Sequence, residues 1–423
     1  MLAVAVQALY LHLPFCRARC SYCDFDTRAY APEALDAAAR VYVDGLVARL
    51  KAFAAIGALD HVKTVYIGGG TPTATGGQLI RLVRAVRSVC RPQEFSCEAN
   101  PESLTREMAS ALARAGVTRV SIGVQSLVDG ELAAVGRIHT AGQALEALAH
   151  AKRAGLSCSC DLMCGLPGQT LSSWEATLGQ VIAADPDHVS VYPLAVEKGT
   201  PLARRIAAGE LGEPDEDFQA EAMEIARITL ASAGYAPYEV ASYAKPGRAC
   251  KHNIAYWTGT EYLGLGRSAS GMLTAQSFRA LAGLFADAEG CAPELEEGVA
   301  RVRVTQRDDA GTSFELDCLG ARGAAAEDLM LACRLTRGIP VGLIDAAAGS
   351  IPRKQVLSAC ERAVKLGLAS WTDADGNPPA GDKARSAPRA HRSTPPAGAT
   401  YLSPTQRGWL LGNELYGLFW DLA

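Results

Sequence analysis

The 423-residue sequence contains no run of about 18 uninterrupted apolar residues, so no membrane-spanning helix is expected. Its start, Met1 to Leu13, lacks the basic flank and the small-residue cleavage site of a secretory signal, and the expected location is cytoplasmic. A basic excess is missing too. Forty-one Lys and Arg stand against 45 Asp and Glu, a formal net charge of −4. The cations are scattered rather than clustered, so no nucleic-acid partner is expected. There is no regular disulfide framework either: the 13 cysteines are odd in number and unevenly spaced, which fits a reducing compartment where thiols stay free or bind metal.

What is present is core material and a repeating pattern. Hydrophobic residues make up 49% of the chain, and its length suggests two domains, one of which could be a barrel of about 250 residues. Up to about residue 245, short apolar runs alternate with longer helix-like segments, as in βα units around a parallel sheet. Strands are predicted at Ala8–Leu13, Thr64–Ile67, Glu94–Glu98, Arg119–Val124, Ser157–Leu162 and His188–Pro193. Helices are predicted at Pro32–Phe53, Gly77–Val89, Thr105–Ala115, Ala141–Ala154, Leu171–Ala184 and Glu213–Ala233.

Three cysteines fall within eight residues directly after the first predicted strand: Cys16, Cys20 and Cys23, spaced C-x3-C-x2-C and followed by Asp24-Phe25. Soft thiolates so placed can surround one small inorganic body, an iron–sulfur cluster or zinc. A closed zinc site wants four ligands, and no Cys or His pair follows at zinc-finger spacing, so a cluster with one open iron is favoured. Other polar residues fall at the predicted carboxyl ends of strands, where ligands sit in α/β folds. They are Gly68-Gly69-Gly70-Thr71-Pro72, Glu98, Gln125, Arg137 in Gly136-Arg137-Ile138-His139, and Asp161 in Asp161-Leu-Met-Cys164-Gly165-Leu166-Pro167-Gly168. The glycines either form a tight turn or let backbone approach a ligand closely. A carboxylate, an amide and a guanidinium on one barrel mouth suit the hydroxyls and charged ends of a nucleotide-like cofactor.

The cysteine spacing resembles that of the radical S-adenosylmethionine (radical SAM) superfamily. That resemblance implies an α/β fold with an open, partial (βα)6 TIM-like barrel at residues 1–245. It implies a [4Fe-4S] cluster held by Cys16, Cys20 and Cys23, with S-adenosylmethionine chelating the fourth iron. Tyr10, Tyr22, Gly69, Gly70, Thr71, Glu98, Gln125, Arg137 and Asp161 match positions that bind S-adenosylmethionine in the superfamily. Further along, Tyr238-Glu239 precedes His252-Asn253-Ile-Ala-Tyr256-Trp257, and this segment, 246–280, is similar to one in the coproporphyrinogen-oxidase-like group. His252 would ligate haem iron with Tyr256 and Trp257 stacked on a porphyrin; alternatively it is a buried histidine pinning a loop. Residues 281–423 resemble the group's small, mainly helical, winged-helix-like C-terminal domain. Within it, a Pro-, Ala-, Gly-, Ser- and Arg-rich stretch at about 373–399 reads as a mobile loop.

Two branches of the group are in play. The oxygen-independent coproporphyrinogen III dehydrogenases, which form protoporphyrinogen IX by radical chemistry, carry a fourth cysteine where this chain has Phe25, and a long N-terminal extension; here Cys16 stands 15 residues from the start. The haem-chaperone branch keeps C-D-F, G-R-x-H and H-N-x-x-Y-W, all present. It implies haem as cargo, an unidentified haem-acceptor protein as partner, and transient docking at membranes. One departure is Ser268-Ala269-Ser270-Gly271, where relatives usually show Gly-Ala-His-Ser.

Overall fold

The computed structural model describes residues 6–379 and 395–423. Six strands, β1 (Ala8–Leu13), β2 (Thr64–Gly69), β3 (Glu94–Ala99), β4 (Arg119–Gln125), β5 (Ser157–Cys164) and β6 (His188–Pro193), lie side by side in chain order, all parallel. Helices cover one side of the strands, where every second residue, Leu9, Leu11, Leu13, Val65, Ile67, Val120, Ile122 and Val124, is fully inaccessible; most of the residues between them are buried or half-buried toward the barrel interior. The outer helices carry single apolar stripes. In the helix Pro32–Ala55, the buried Leu35, Ala39, Tyr42, Leu46, Leu50 and Phe53 recur every three or four residues and face the sheet. Thr105, Thr140 and Thr170 cap three of the crossover helices, each accepting a backbone N–H from three residues on.

The barrel does not close. Beyond β6 lies β7 (Ser242–Ala244), antiparallel to it; at the other end, β8 (Tyr262–Leu265) joins β1 in parallel. The sheet then continues antiparallel through β9 (Ser270–Thr274), β10 (Val299–Gln306) and β11 (Phe314–Gly320). Helices dominate from Ala321 onward, as the sequence suggests for the region after residue 280, but before them the hairpin β10–β11, which the sequence did not suggest, extends the main sheet, with Val302 and Val304 in its core. A second core forms farther on from Leu329, Ile344, Val356, Cys360, Leu402 and Phe419. It is built by the helices Ala321–Ala332, Val341–Ala347, Arg353–Lys365 and Gly412–Trp420 around a three-stranded antiparallel sheet of Ile339–Pro340, Tyr401–Pro404 and Ala369–Thr372. The stretch read as a loop at 373–399 lies mostly outside the described residues. Among the described residues no helix is long and apolar enough to cross a membrane.

Candidate functional site

Immediately after β1 the chain makes a short parallel bridge, Phe15–Cys16 with Arg28–Ala29, which closes the segment 17–27 into a loop. Phe15 anchors its base, edge-on to Tyr42 at 5.4 Å between ring centres. The tip is tied down by backbone: Ser21 N–H donates to the Val135 carbonyl (2.9 Å), and the Ser21 carbonyl accepts from Leu202 N–H (2.8 Å). Cys16 is buried, Cys20 and Cys23 are half-buried, and none forms a disulfide. Burial pushes the Cys16 and Cys23 thiols up, and the charge of the neighbouring thiols pushes both further.

The turn after β2 packs against this loop. Gly70 N–H donates to the Leu13 carbonyl (2.9 Å) and Thr71 N–H to the Phe15 carbonyl (2.6 Å). A Cβ on Gly70 would stand 2.5 Å from the Phe15 carbonyl oxygen and 2.8 Å from Cys16 Sγ, which leaves no room for any other residue. Thr71 Oγ1 reaches Cys16 Sγ at 3.6 Å and accepts from Asn100 Nδ2 at 2.9 Å.

The ends of β3, β4 and β5 supply the polar groups. Glu98 accepts the Gly69 N–H at 2.9 Å, yet burial, with the charge of Asp161 adding to it, pushes its carboxyl up to about 7. Asp161 accepts from Ser121 Oγ (2.8 Å) and is likewise raised, chiefly by burial. Gln125 ends β4 at a register shift with φ of +65°, a left-handed conformation that non-glycine residues avoid and that turns its side chain out of the strand's alternation. Arg137 is a hub: Nη1 donates to Cys20 Sγ (3.4 Å), Nη2 to the Gly123 carbonyl (2.6 Å) and Asn100 Oδ1 (3.0 Å), and Nε to His139 Nδ1 (3.3 Å). His139 is lowered to about 4 by burial and by Arg137, so it stays neutral and can accept.

One cavity of about 360 Å³ joins these groups. Cys16, Cys20, Cys23, Tyr22, Gly69, Gly70, Thr71, Glu98, Gln125, Arg137 and Asp161 all line it, as the sequence leads one to expect. Tyr10 does not: it stands one layer back, hydrogen-bonded to His12 Nδ1 (2.9 Å) and stacked on Tyr66, which does line the cavity. His252, Tyr256 and Trp257 do not line it either, although Cys250 and Asn253 of the same segment do, and His252 stacks on Tyr66 at 5.3 Å between ring centres. His252 is 1% exposed and bonded to Thr64 Oγ1 (2.9 Å) at the first residue of β2, whereas the cysteines gather at the strand's other end, about 16 Å of strand away. Its second nitrogen meets the Tyr256 hydroxyl (3.1 Å), its backbone N–H donates to Glu94 (3.0 Å), and burial lowers it to about 3. It is a neutral plug in the barrel floor. Trp257 donates to Glu239 (3.2 Å) under the guanidinium of Arg334.

Residues 10–181 match the model of the radical SAM superfamily. The chain is 37% identical over 354 residues to the heme chaperone HemW of Mycobacterium tuberculosis, covering 80% of this chain and 84% of that one. It is 37% identical over 279 residues to the heme chaperone HemW of Escherichia coli, covering 65% and 72% respectively. The chain belongs to the radical SAM superfamily, in the family of HemN- and HemW-like proteins. Among solved structures, coproporphyrinogen III oxidase (HemN) from Escherichia coli superposes on this radical SAM chain with a TM-score of 0.72 at 20% identity, covering 98% of this chain and 90% of that one, which establishes a shared fold.

Sequence reasoning passed over several residues of the radical SAM cavity. Asn100 couples Thr71 to Arg137, and its signal is its place two residues after Glu98 at the end of β3. Tyr66 and Ser121 face inward because they lie an even number of residues from Gly68 and Gly123 in their strands. Asn253 and Cys250 reach the cavity from a segment more than 120 residues farther along the chain, and only the fold reveals that.

Proposed function

We propose that this protein is a haem chaperone: it holds a [4Fe-4S] cluster on Cys16, Cys20 and Cys23, binds S-adenosylmethionine in the adjoining cavity, and carries haem to an acceptor protein. The observation that carries the reading is 37% identity to a heme chaperone over 84% of that protein, in a chain whose three C-x3-C-x2-C cysteines line one cavity. The donor set fits the cluster, since it is sulfur only, free of disulfides, and beside a glycine with no space for a side chain. Among the described residues no three His, Cys, Asp or Glu side chains converge on a single metal ion; the thiols face a shared space instead. When bound, such a cluster offers one open iron to S-adenosylmethionine and electrons for its reductive cleavage.

The chain's own residues prepare that cavity. Arg137, donating to Cys20 Sγ, offsets thiolate charge. Glu98, ionising near pH 7, presents a carboxylate to the ammonium end of the cofactor, and Asp161, held by Ser121, accepts from hydroxyls. A volume of about 360 Å³ is at the small end for drug-sized ligands and would have to take the cluster as well as S-adenosylmethionine, which leaves the porphyrin to the mouth. There Phe25, 59% exposed, and Tyr192, 42% exposed, offer uncovered rings for stacking. Phe25 thus occupies the place of the fourth cysteine of the dehydrogenases with an apolar face.

The test is anaerobic purification, cluster reconstitution, and incubation with S-adenosylmethionine and a reductant, in parallel with haem and with coproporphyrinogen III. Stoichiometric haem binding and handover to a haem-free acceptor, without consumption of haem, is the expected result. Phe25→Ala weakens haem binding, whereas His252→Ala lowers the melting temperature and leaves haem affinity in place. Conversion of coproporphyrinogen III to protoporphyrinogen IX overturns the assignment in favour of the dehydrogenase reading, which the shared fold alone supports.

A further inference from the structure

The three cysteines of the loop are not held alike. Cys16 sits in the bridge to Arg28–Ala29 with Thr71 Oγ1 at 3.6 Å from its sulfur, and Cys20 is reached by Arg137 at 3.4 Å. Among the described residues no side chain from outside the loop bonds to Cys23. Its N–H donates to the Cys20 carbonyl (3.2 Å) and its carbonyl accepts from Arg19 Nη2 (3.1 Å), so its own hydrogen bonds stay inside the loop. The next hold on the rest of the fold lies at Asp26. There one carboxylate oxygen, Oδ2, accepts from Arg267 Nε and from Ser268 Oγ, each at 2.6 Å, and the Asp26 carbonyl lies 3.3 Å from His12 Nε2.

Arg267 and Ser268 belong to the turn between β8 and β9, and that turn is itself pinned. Gly266 N–H donates to Gln306 Oε1 (3.0 Å), Arg267 N–H to the Tyr42 hydroxyl (2.8 Å) and Ser268 N–H to the Gln306 carbonyl (2.7 Å), while Arg267 Nη1 reaches the Arg307 carbonyl at 3.1 Å. Ser268 carries strain. Its φ is +60°, a left-handed conformation that glycine adopts freely and serine does not. Glycine, the residue relatives usually show there, would meet the same backbone bonds; only the hydroxyl on Asp26 needs serine. The Asp26–Arg267 pair is 33% and 31% exposed, a setting in which an ion pair adds little to stability. What the contact supplies is direction.

We infer that Asp26 is the positioning residue of Cys23, and that the Arg267–Ser268 turn is the anchor by which the antiparallel part of the sheet fixes the third thiol of the loop. Each thiol then takes its place from a different part of the fold: Cys16 from β1 and the turn after β2, Cys20 from Arg137 after β4, and Cys23 from the turn between β8 and β9. Where three ligands must meet on one inorganic body, a loosened third weakens the hold of all. That consequence rests on the cluster reading above, while the placement of Cys23 does not.

The experiment compares the full-length protein with its Ser268→Gly, Asp26→Ala and doubly substituted variants. In the cluster-free, reduced state, timed alkylation by iodoacetamide is read cysteine by cysteine by mass spectrometry. Cys23 is expected to react about threefold faster in either single variant, with Cys16 and Cys20 unchanged. The double variant should match Asp26→Ala, because Ser268 acts only through that carboxylate. Ser268→Gly also relieves the left-handed strain, so its melting temperature should equal or exceed that of the wild type. After reconstitution the same variant should release iron to a chelator about threefold faster. Faster iron loss without lower stability is what a merely structural serine would not give. Alkylation of Cys23 at the wild-type rate in both single variants, or equal acceleration of all three thiols, overturns the inference. A wild-type protein that takes up no cluster would count against the cluster reading alone, since the alkylation rates do not depend on it.

Discussion

Gly70 shows how narrowly single positions are constrained. A methyl group there would crowd the Phe15 carbonyl and the first cysteine so closely that it must displace backbone, not only a flexible side-chain tip. Gly70→Ala is therefore expected to retain the helical and sheet content while losing at least half of the bound iron after reconstitution, as read by circular dichroism and iron analysis on the same sample. Glu98 makes a prediction in pH. Its carboxyl rises from an ordinary 4.5 to about 7, so between those values the folded protein keeps a proton that the unfolded chain has released. Stability from this residue thus falls as pH rises through that window and is level above it. Glu98→Gln should melt at a higher temperature than the cluster-free wild type at pH 8, and the gap should close by pH 4.5. In the reconstituted wild type, calorimetry should show affinity for S-adenosylmethionine declining as pH drops below 7, because the neutral carboxyl no longer attracts an ammonium group.

At the scale of elements, the parallel strands and their crossover helices are legible because each obeys its own period: Leu9, Leu11 and Leu13 alternate in β1, and Leu35, Ala39, Tyr42 and Leu46 climb one helix face. What sequence reasoning missed was the hairpin β10–β11. In β10 the alternation of Arg301 and Arg303 with Val302 and Val304 is a strand signal, but β11 is too charged and exposed to resemble one, and pairing across the hairpin is what makes both strands. The hairpin is fastened to the helix Ala321–Ala332 by the fully buried Glu327, which accepts from both Arg301 and Arg303. Arg301 holds Asp328 as well, at 2.7 Å. Glu327→Ala leaves Arg301 with half its counter-charge in a poorly hydrated place, and chemical denaturation should register a loss of about 3 kcal/mol. A loss under about 1 kcal/mol would mean that the arginines find water instead.

For the whole molecule, the candidate site was readable as a set of strand ends before any coordinates, since a parallel sheet brings its carboxyl ends to one side. Cys16, Glu98, Gln125 and Asp161 meet for that reason. The same logic cannot find His252, because a residue arriving from segment 246–280 can enter the barrel from either end, and here it enters at the start of β2. The loop 17–27 is tied at separate points, by the backbone bonds of Ser21, by Arg137 at Cys20, and by Asp26, which accepts from Arg267 and Ser268 at 2.6 Å each, whereas the sheet beneath it is paired strand by strand. Removing the cluster with a chelator and an oxidant should therefore speed amide exchange in residues 17–27 by at least tenfold and leave β2 to β5 protected. Equal loosening of loop and sheet would show that the cluster holds the barrel itself together.

The far border of the twelve-stranded sheet, β11, is uncovered along much of its length; its outward positions carry Glu315, which pairs with Arg307, and Asp317, which lies opposite Arg303, beside the exposed Cys318. Charged side chains on an unpaired border must give up water, and Glu315 its partner, before another strand can zip on, so this border resists being lengthened by a further chain.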